Sequence, residues 1–521
     1  MGNALGFGPI DFIEFGLTAI LVMSILARAP VAAFARRLAN RPIPCMIFLA
    51  AVPIVLRLAL LARHPIPIPR VADDFSYLLL GDTLAHFRLA NPMHPMRQFF
   101  EGVFVLQDPS WSSYYPLGQG FALAFGELVF RLPWAGVALS VGLLCALCYW
   151  MLKAWVDPVW ALAGGLLAAA LFGPLSMWMN TYWGGAVSGI AGCLVFGAIP
   201  RLRGPHPARS AILLGLGLGL QLLTRPYEFL LLGLAVLLFL VPVRSLAAAA
   251  LVVLPALGLT LLQNRQVTGS WTTLPAQLSR YQYGIPTTFG FEAAPVPHRP
   301  LTVEQQIDYD AQTAVHNRAG YWRRLGERIT LSGFFFLPPL YLAVPLFPMS
   351  FRDLRFLKVA IAIVIFWLGA AFYPYFYPHY IAAAACLFLL VSAKGLEWMS
   401  RFPHGRTAAF LILTLCLAHF ALRYATAAIQ TEGDPEHRAA IDSRLAREPG
   451  KQLVFVRYWP QHGASEWIHN AADIDGAKIV WAIDLGPEKN AKLRQYYPDR
   501  QAWLLEPDAQ PPRLTALPPQ P

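Results

Sequence analysis

The sequence predicts a mostly α-helical, polytopic membrane protein with a small soluble α/β domain behind its last span. Hydrophobic residues make up 56% of the 521-residue chain and charged residues only 14%. A soluble protein would carry about 25% charged residues. Apolar runs near the ~20 residues needed to cross a bilayer recur from Ile10 to Thr426. Beyond Gln430 the pattern changes to short apolar runs separated by polar stretches.

Twelve spans are expected, at 8–27, 44–62, 133–152, 158–178, 184–200, 210–224, 227–243, 246–263, 331–348, 357–373, 379–397 and 407–426. The N-terminus has neither a basic n-region nor a small-residue cleavage site, so the first span is expected to be retained. All six cysteines fall inside apolar runs and read as free, buried thiols. Cys145 and Cys148 form a CxxC, which in a lipid-embedded helix is read as packing.

Charge sets the expected orientation. The tail from Gln430 holds 11 basic and 13 acidic residues, whereas the rest of the chain holds 30 basic and 17 acidic. The excess sits in four short connections, marked by Arg36 and Arg37, Arg201 and Arg203, Arg352 and Arg355, and Arg401 and Arg406. Placing these in the cytoplasm satisfies the positive-inside rule, and nucleic acid is not implied. Residues 1–429 then form the membrane domain, with external loops at 63–132 and 264–330. Residues 430–521 form an external α/β domain. The short apolar segment Gly118–Phe130 is read as an interfacial helix on the outer face. In the tail, strands are expected at Leu453–Trp459, Ile479–Ile483 and Ala502–Leu505, and helices near Glu466–Ala472 and Asn490–Tyr497.

The first loop carries the most informative feature, the pair Asp73-Asp74. Charge at the edge of a bilayer is expensive and is usually functional or paired. A helix N-cap and a catalytic role are both open for this pair. Asp82 lies about 12 Å further along the same helix, at 1.5 Å per residue, so a carboxylate dyad would have to be Asp73 with Asp74. The loop also holds Tyr77, Arg88, Asn91, His94, Glu101, Tyr114, Tyr115 and Gln119.

Other loop ends fall on the same expected face. They carry Asn180, Tyr182 and Trp183; then Arg225, Tyr227 and Glu228; and then Pro374 to Tyr380, including His379. Arg280 lies in the second loop. Interfacial anchoring accounts for most of these aromatics. Arg225 and Glu228 fit a local i, i+3 ion pair as well as a binding role. A face with carboxylates, arginines, a histidine, amides and aromatics suits a sugar joined to an anionic headgroup. A carboxylate can take a proton from an acceptor hydroxyl. A phosphate leaving group needs cationic stabilisation, which Arg225 or Arg280 could give.

An N-terminal span followed by a loop opening on Asp-Asp resembles the GT-C superfamily of membrane glycosyltransferases. Protein O-mannosyltransferases and the lipid A aminoarabinose transferase are its relatives here. The runs Asp73–Tyr77, Arg88–Pro95, Tyr115–Gly120 and Asn180–Gly185 are similar to a bacterial branch of that superfamily. So are Asp484-Leu485-Gly486 and Tyr496–Arg500 in the tail.

The resemblance implies an inverting glycosyltransferase of the bacterial inner membrane, with its site and tail on the extracytoplasmic side. It would move a sugar from a polyprenyl-phosphate donor to an envelope glycan, lipid or protein, among membrane lipids. Asp73 would be the base and Asp74 its neighbour, with Arg225, His379 and Arg280 at the donor phosphate. Tyr77, Arg88, Asn91, His94, Glu101, Tyr114, Tyr115, Gln119, Asn180, Tyr182, Trp183, Tyr227, Glu228 and Tyr380 would line the sugar and acceptor pocket.

Two positions depart from the superfamily pattern. Tyr115 stands where relatives often carry a lysine, and Asn180 stands where a second acid is expected. Both argue for a metal-independent reaction. No cofactor is expected, and a divalent metal is left open. A transporter or flippase, and a non-catalytic scaffold, are the rival readings. The concentration of polar groups at one face weighs against transport.

Overall fold

The computed structural model describes residues 9–518 apart from 432, 435, 436, 461 and 464, with side chains from residue 14 onward. The opening residue of the first predicted span, Gly8, lies outside the described residues, as do the N-terminal residues before it and the last three of the chain. The protein is a multi-pass membrane protein with a small α/β domain. Among the described residues, six helices are long and apolar enough to cross a bilayer, or seven if the bent pair Glu14–Leu26 and Arg28–Ala39 is one span. Four shorter apolar helices accompany them: Leu117–Phe130, Pro158–Phe172, Ala186–Arg201 and Pro226–Leu238.

The described residues thus do not confirm the count of twelve spans. The expected span at 331–348 is instead three short 3₁₀ turns, Ser332–Phe335, Pro338–Leu342 and Val344–Arg352. Pro338, Pro339, Pro345 and Pro348 remove four backbone donors in eleven residues, which breaks the i to i−4 ladder while leaving the run apolar. The span expected at 158–178 stops at Phe172 for the same reason, since Gly173-Pro174 follows.

Close contacts between small residues fix the helices around the first loop. Asp73 and Asp74 lie in the first turn of the Ala72–Ala85 helix, which packs on the Leu117–Phe130 helix. A Cβ on Gly81 would lie 2.7 Å from the Leu123 Cβ, and one on Gly118 would lie 3.0 Å from the Thr224 Cα. The run Gly118-Gln119-Gly120 thus brings three elements together: the Asp73 helix, its own helix, and the helix end that precedes Arg225.

The tail forms a four-stranded sheet in the order Ile479–Ile483, Lys451–Val456, Arg500–Glu506, Arg513–Ala516, with the last pair antiparallel. Helices Arg438–Arg447 and Pro487–Tyr496 accompany it. All three predicted strands form, and Asn490–Tyr497 falls on the second helix. Glu466–Ala472 is not helical. Its backbone groups bond to the first loop instead of to one another: Glu466 N to Arg70 O at 3.1 Å, Ala472 N to Asp82 Oδ2 at 2.7 Å, and Ala471 O from Trp111 Nε1 at 3.1 Å. The Phe75 and His469 rings stack at 4.2 Å in the same seam. The tail is therefore docked on the loop that carries Asp73.

Candidate active site

A cavity of about 660 Å³ opens between the Asp73 helix, the Arg225 elbow, both external loops and the tail. That volume lies within the ~300–1,000 Å³ range of small-molecule sites. Val71 occupies the N-cap position, which puts Asp73 and Asp74 in the first turn of the helix and corrects the expectation that an aspartate caps it. Carboxylates in a first turn are favoured by the positive end of the helix dipole.

The two side chains then diverge. Asp73 faces the cavity and accepts a hydrogen bond from the Tyr115 hydroxyl. Asp74 is buried away from it and accepts from Tyr182 N at 3.0 Å and Arg70 N at 3.3 Å. Its oxygens are committed to holding two loop segments, so an Asp73–Asp74 dyad does not form. Burial pushes the Asp73 carboxyl above its ordinary range, against the pull of the Tyr115 hydroxyl and of Arg225. Burial also raises Asp74, to about 6, while the backbone donors of Tyr182 and Arg70 oppose it.

Arg225 sits at the elbow between helices Pro207–Thr224 and Pro226–Leu238, in extended conformation (φ −149°, ψ 90°). Pro226 imposes this, because the residue before a proline is driven from the helical region. The guanidinium lies 3.8 Å from Glu228 and 4.7 Å above the Tyr380 ring. Arg280 also lines the cavity, partly engaged by the Pro286 and Thr287 carbonyls at 3.2 and 3.3 Å. His379 lies 4.6 Å from the Trp183 ring and 5.7 Å from Tyr377, and its Nδ1 is buried without a hydrogen-bond partner among the described residues. Tyr77 stacks on Tyr115 at 3.9 Å.

Eleven of the residues singled out from the sequence meet in this cavity: Asp73, Tyr77, Tyr114, Tyr115, Trp183, Arg225, Tyr227, Glu228, Arg280, His379 and Tyr380. Eight others are placed elsewhere, most of them with their polar groups spent on scaffold bonds. Asp74 is accounted for above. Arg88 is exposed to solvent. Asn91 donates to Thr83 and Trp111. His94 joins Asp475 and the Tyr497 hydroxyl, both at 3.1 Å, and so ties the loop to the tail. Glu101 accepts from the Tyr283 hydroxyl at 2.6 Å. Gln119 donates to the Tyr182 carbonyl, and the Tyr182 hydroxyl donates to Pro67 O. Asn180 accepts from Arg57 at 2.7 Å.

One wall was not anticipated. The helix Val303–Arg318 presents Glu304, Ile307, Asp308, Ala311 and Gln312 to the cavity, and Glu466 of the tail stands beside them. Burial raises Asp308 to about 7 and Glu304 well above the usual carboxylate range, with Glu466 adding to both. The sequence does carry a trace of this face. Thr302 and Gln305 form a capping box, and the two carboxylates follow four residues apart. Among the described residues no group of three or more His, Cys, Asp or Glu side chains gathers to hold a metal ion.

The fold is similar to solved membrane glycosyltransferases. ArnT from Cupriavidus metallidurans matches over 88% of this chain and 92% of its own, at 13% identity and a TM-score of 0.49. The oligosaccharyltransferase of Archaeoglobus fulgidus in its apo form matches over 89% and 69%, at 12% identity and a TM-score of 0.48. The same archaeon's AglB, solved with an inhibitory peptide and a dolichol-phosphate, matches over 88% and 69%, at 11% identity and a TM-score of 0.41. No protein-family model and no curated protein matches the chain.

Proposed function

We propose that the protein is an inverting membrane glycosyltransferase that uses a polyprenyl-phosphate sugar and works on the outer face of a bacterial inner membrane. The observation that carries this reading is the meeting, in one cavity, of the half-buried Asp73 carboxylate with the Arg225 guanidinium. The acceptor hydroxyl would attack the anomeric carbon on the face opposite the phosphate. Asp73 takes the hydroxyl proton as the new glycosidic bond forms. The bond from the anomeric carbon to the phosphate oxygen breaks, and the polyprenyl phosphate leaves with that electron pair, steadied by Arg225 and Arg280. His379 and Trp183 line the same cavity and would pack their rings against the sugar.

The decisive experiment is mass spectrometry of lipid-linked sugars and envelope glycans in cells with and without the gene. One accumulated lipid-linked sugar paired with one missing glycan is the expected result. Uptake of a solute by sealed vesicles, with no change in any glycan, would replace this reading with transport.

The pH dependence has a definite sign. A base must be ionised, and burial holds the Asp73 carboxyl above its ordinary range, so the acidic limb of kcat/KM is expected above the ~4 of a free aspartate. The Tyr115 hydroxyl pulls that carboxyl down. Tyr115→Phe is therefore expected to move the limb to higher pH, read from initial rates between pH 4 and 9. A limb that stays put or moves to lower pH would count against Asp73 as the titrating base.

A further inference from the structure

The segment Ala371–Tyr377 interrupts the chain between the Leu354–Ala370 helix and the turn beginning at Pro378. Its odd-numbered residues Tyr373, Tyr375 and Tyr377, and then His379, line the cavity. The backbone turns and bends at residues 371–374 and runs without regular structure through 375–377, so these side chains reach the cavity from a break between helices. An interrupted helix leaves carbonyls without their i+4 donors, and Pro378 has no N–H to offer the Pro374 carbonyl.

The first four carbonyls of the break are nevertheless satisfied, and each by the second loop. Ala371 O accepts from Arg324 Nε at 2.9 Å, and Phe372 O from Gly290 N at 2.8 Å. Tyr373 O and Pro374 O both accept from Arg328 Nη2, at 2.9 and 2.7 Å. The Arg328 guanidinium also lies 4.8 Å above the ring of Phe376, which in turn meets the ring of Tyr380 edge-on at 6.2 Å.

The helix that supplies the arginines, Tyr321–Leu331, is turned inside out relative to a helix on a soluble protein. Arg324 and Arg328, one turn apart, are 5% and 2% exposed, while Trp322 and Ile329 on the other side are 76% and 47% exposed. The exposed side also carries Arg323 and Glu327, paired at 3.5 Å, and this mix of apolar and charged groups outside with guanidinia inside suits a helix lying in the membrane interface. Its arginines are then free to serve the protein's own backbone.

We propose that Arg324 and Arg328 are positioning residues, which hold the Ala371–Pro374 carbonyls so that Tyr373, Tyr375, Tyr377 and His379 face the bound donor. The mention of a donor rests on the transferase reading; the bracing of the segment does not. Arg324 uses two nitrogens of its fork, Nε on Ala371 O and Nη1 on Ala319 O, while Arg328 aims Nη2 at two carbonyls and rests its flat face over the Phe376 ring, a combination that a lysine ammonium on a flexible stem does not reproduce. Gly290 belongs to the same device. A Cβ there would stand 2.5 Å from the Arg324 Cζ and push the guanidinium off its carbonyl.

The test uses the full chain in lipid nanodiscs and compares wild type with Arg328→Gln, Arg328→Lys and Gly290→Ala. Amide hydrogen exchange is followed across the protein, and transfer kinetics are measured with donor extracted from membranes. The expected result is faster exchange confined to residues 371–380 in all three variants. It is accompanied by a donor KM raised about tenfold and a smaller change in kcat, the pattern of lost binding rather than lost chemistry. Arg328→Lys should restore the KM only in part. Gly290→Ala removes neither arginine side chain and displaces only the Arg324 guanidinium, so it stands even if an Arg328 variant fails to fold. Unchanged exchange at 371–380, or a rise spread evenly over the fold, would overturn the proposal. Local exchange that rises in a protein transferring no sugar would confirm the brace and sink the transferase reading.

Discussion

Asp73→Asn is expected to lower the rate of sugar transfer about 10²–10⁴-fold, the range that a positioned general base contributes. The substitution preserves shape, and the Tyr115 hydroxyl can still donate to an amide oxygen as it does to the carboxylate. Burial already raises the Asp73 carboxyl, so a neutral side chain costs the fold little at this position. The loss should therefore fall on kcat, with donor KM nearly unchanged, as measured by initial rates on reconstituted protein. Asp74→Asn offers the contrast. Both of its oxygens accept backbone N–H groups, so an amide nitrogen would oppose one donor and cost about 1–3 kcal/mol of stability. The expected signature there is a lowered unfolding temperature with most of the per-molecule rate retained. Retention of wild-type transfer by Asp73→Asn would remove Asp73 from the chemistry.

The legible parts of the sequence were those where local chemistry and local structure coincide. The doubled aspartate at a helix start marked the wall of the cavity, and the Arg225-Pro226 step followed by Glu228 marked the elbow and its ion pair. The first loop was over-read. A crowd of polar residues looks alike whether it holds a ligand or ties a loop down, and the deciding partners lie far away in the chain. His94, for instance, answers to Asp475 and Tyr497, and Asp82 to Ala472. The span expected at 331–348 failed because hydropathy does not register missing backbone donors, whereas the four prolines there do. Glu304 and Asp308 were overlooked because two acids one turn apart on a polar helix usually face water. Only the docked tail turns that face inward.

Arg225→Gln is expected to produce the second large effect, in two separable parts. The first is chemical: losing a cation at a developing phosphate charge should cost about 10²–10³-fold in kcat, comparable to removing one donor from an oxyanion site. The second is structural. Glu228 and Arg225 are 14% and 17% exposed at 3.8 Å, so the single variant strands a buried carboxylate. Breaking such a pair typically costs about 3–5 kcal/mol. Arg225→Gln alone would confuse the two, since a poorly folded enzyme is also slow. The double variant Arg225→Gln/Glu228→Gln separates them, because it leaves no unpaired charge behind. Its unfolding temperature should return toward wild type while transfer stays low. Recovery of both stability and transfer would make Arg225 a structural partner of Glu228, and phosphate stabilisation would pass to Arg280. The tyrosine beneath the guanidinium makes the outcome more diagnostic still. Arg225 lies 4.7 Å over the Tyr380 ring, so Tyr380→Leu should leave the ion pair in place and loosen only the direction of the guanidinium. A rate loss in that variant, at unchanged stability, would tie transfer to where the Arg225 charge points as well as to its presence.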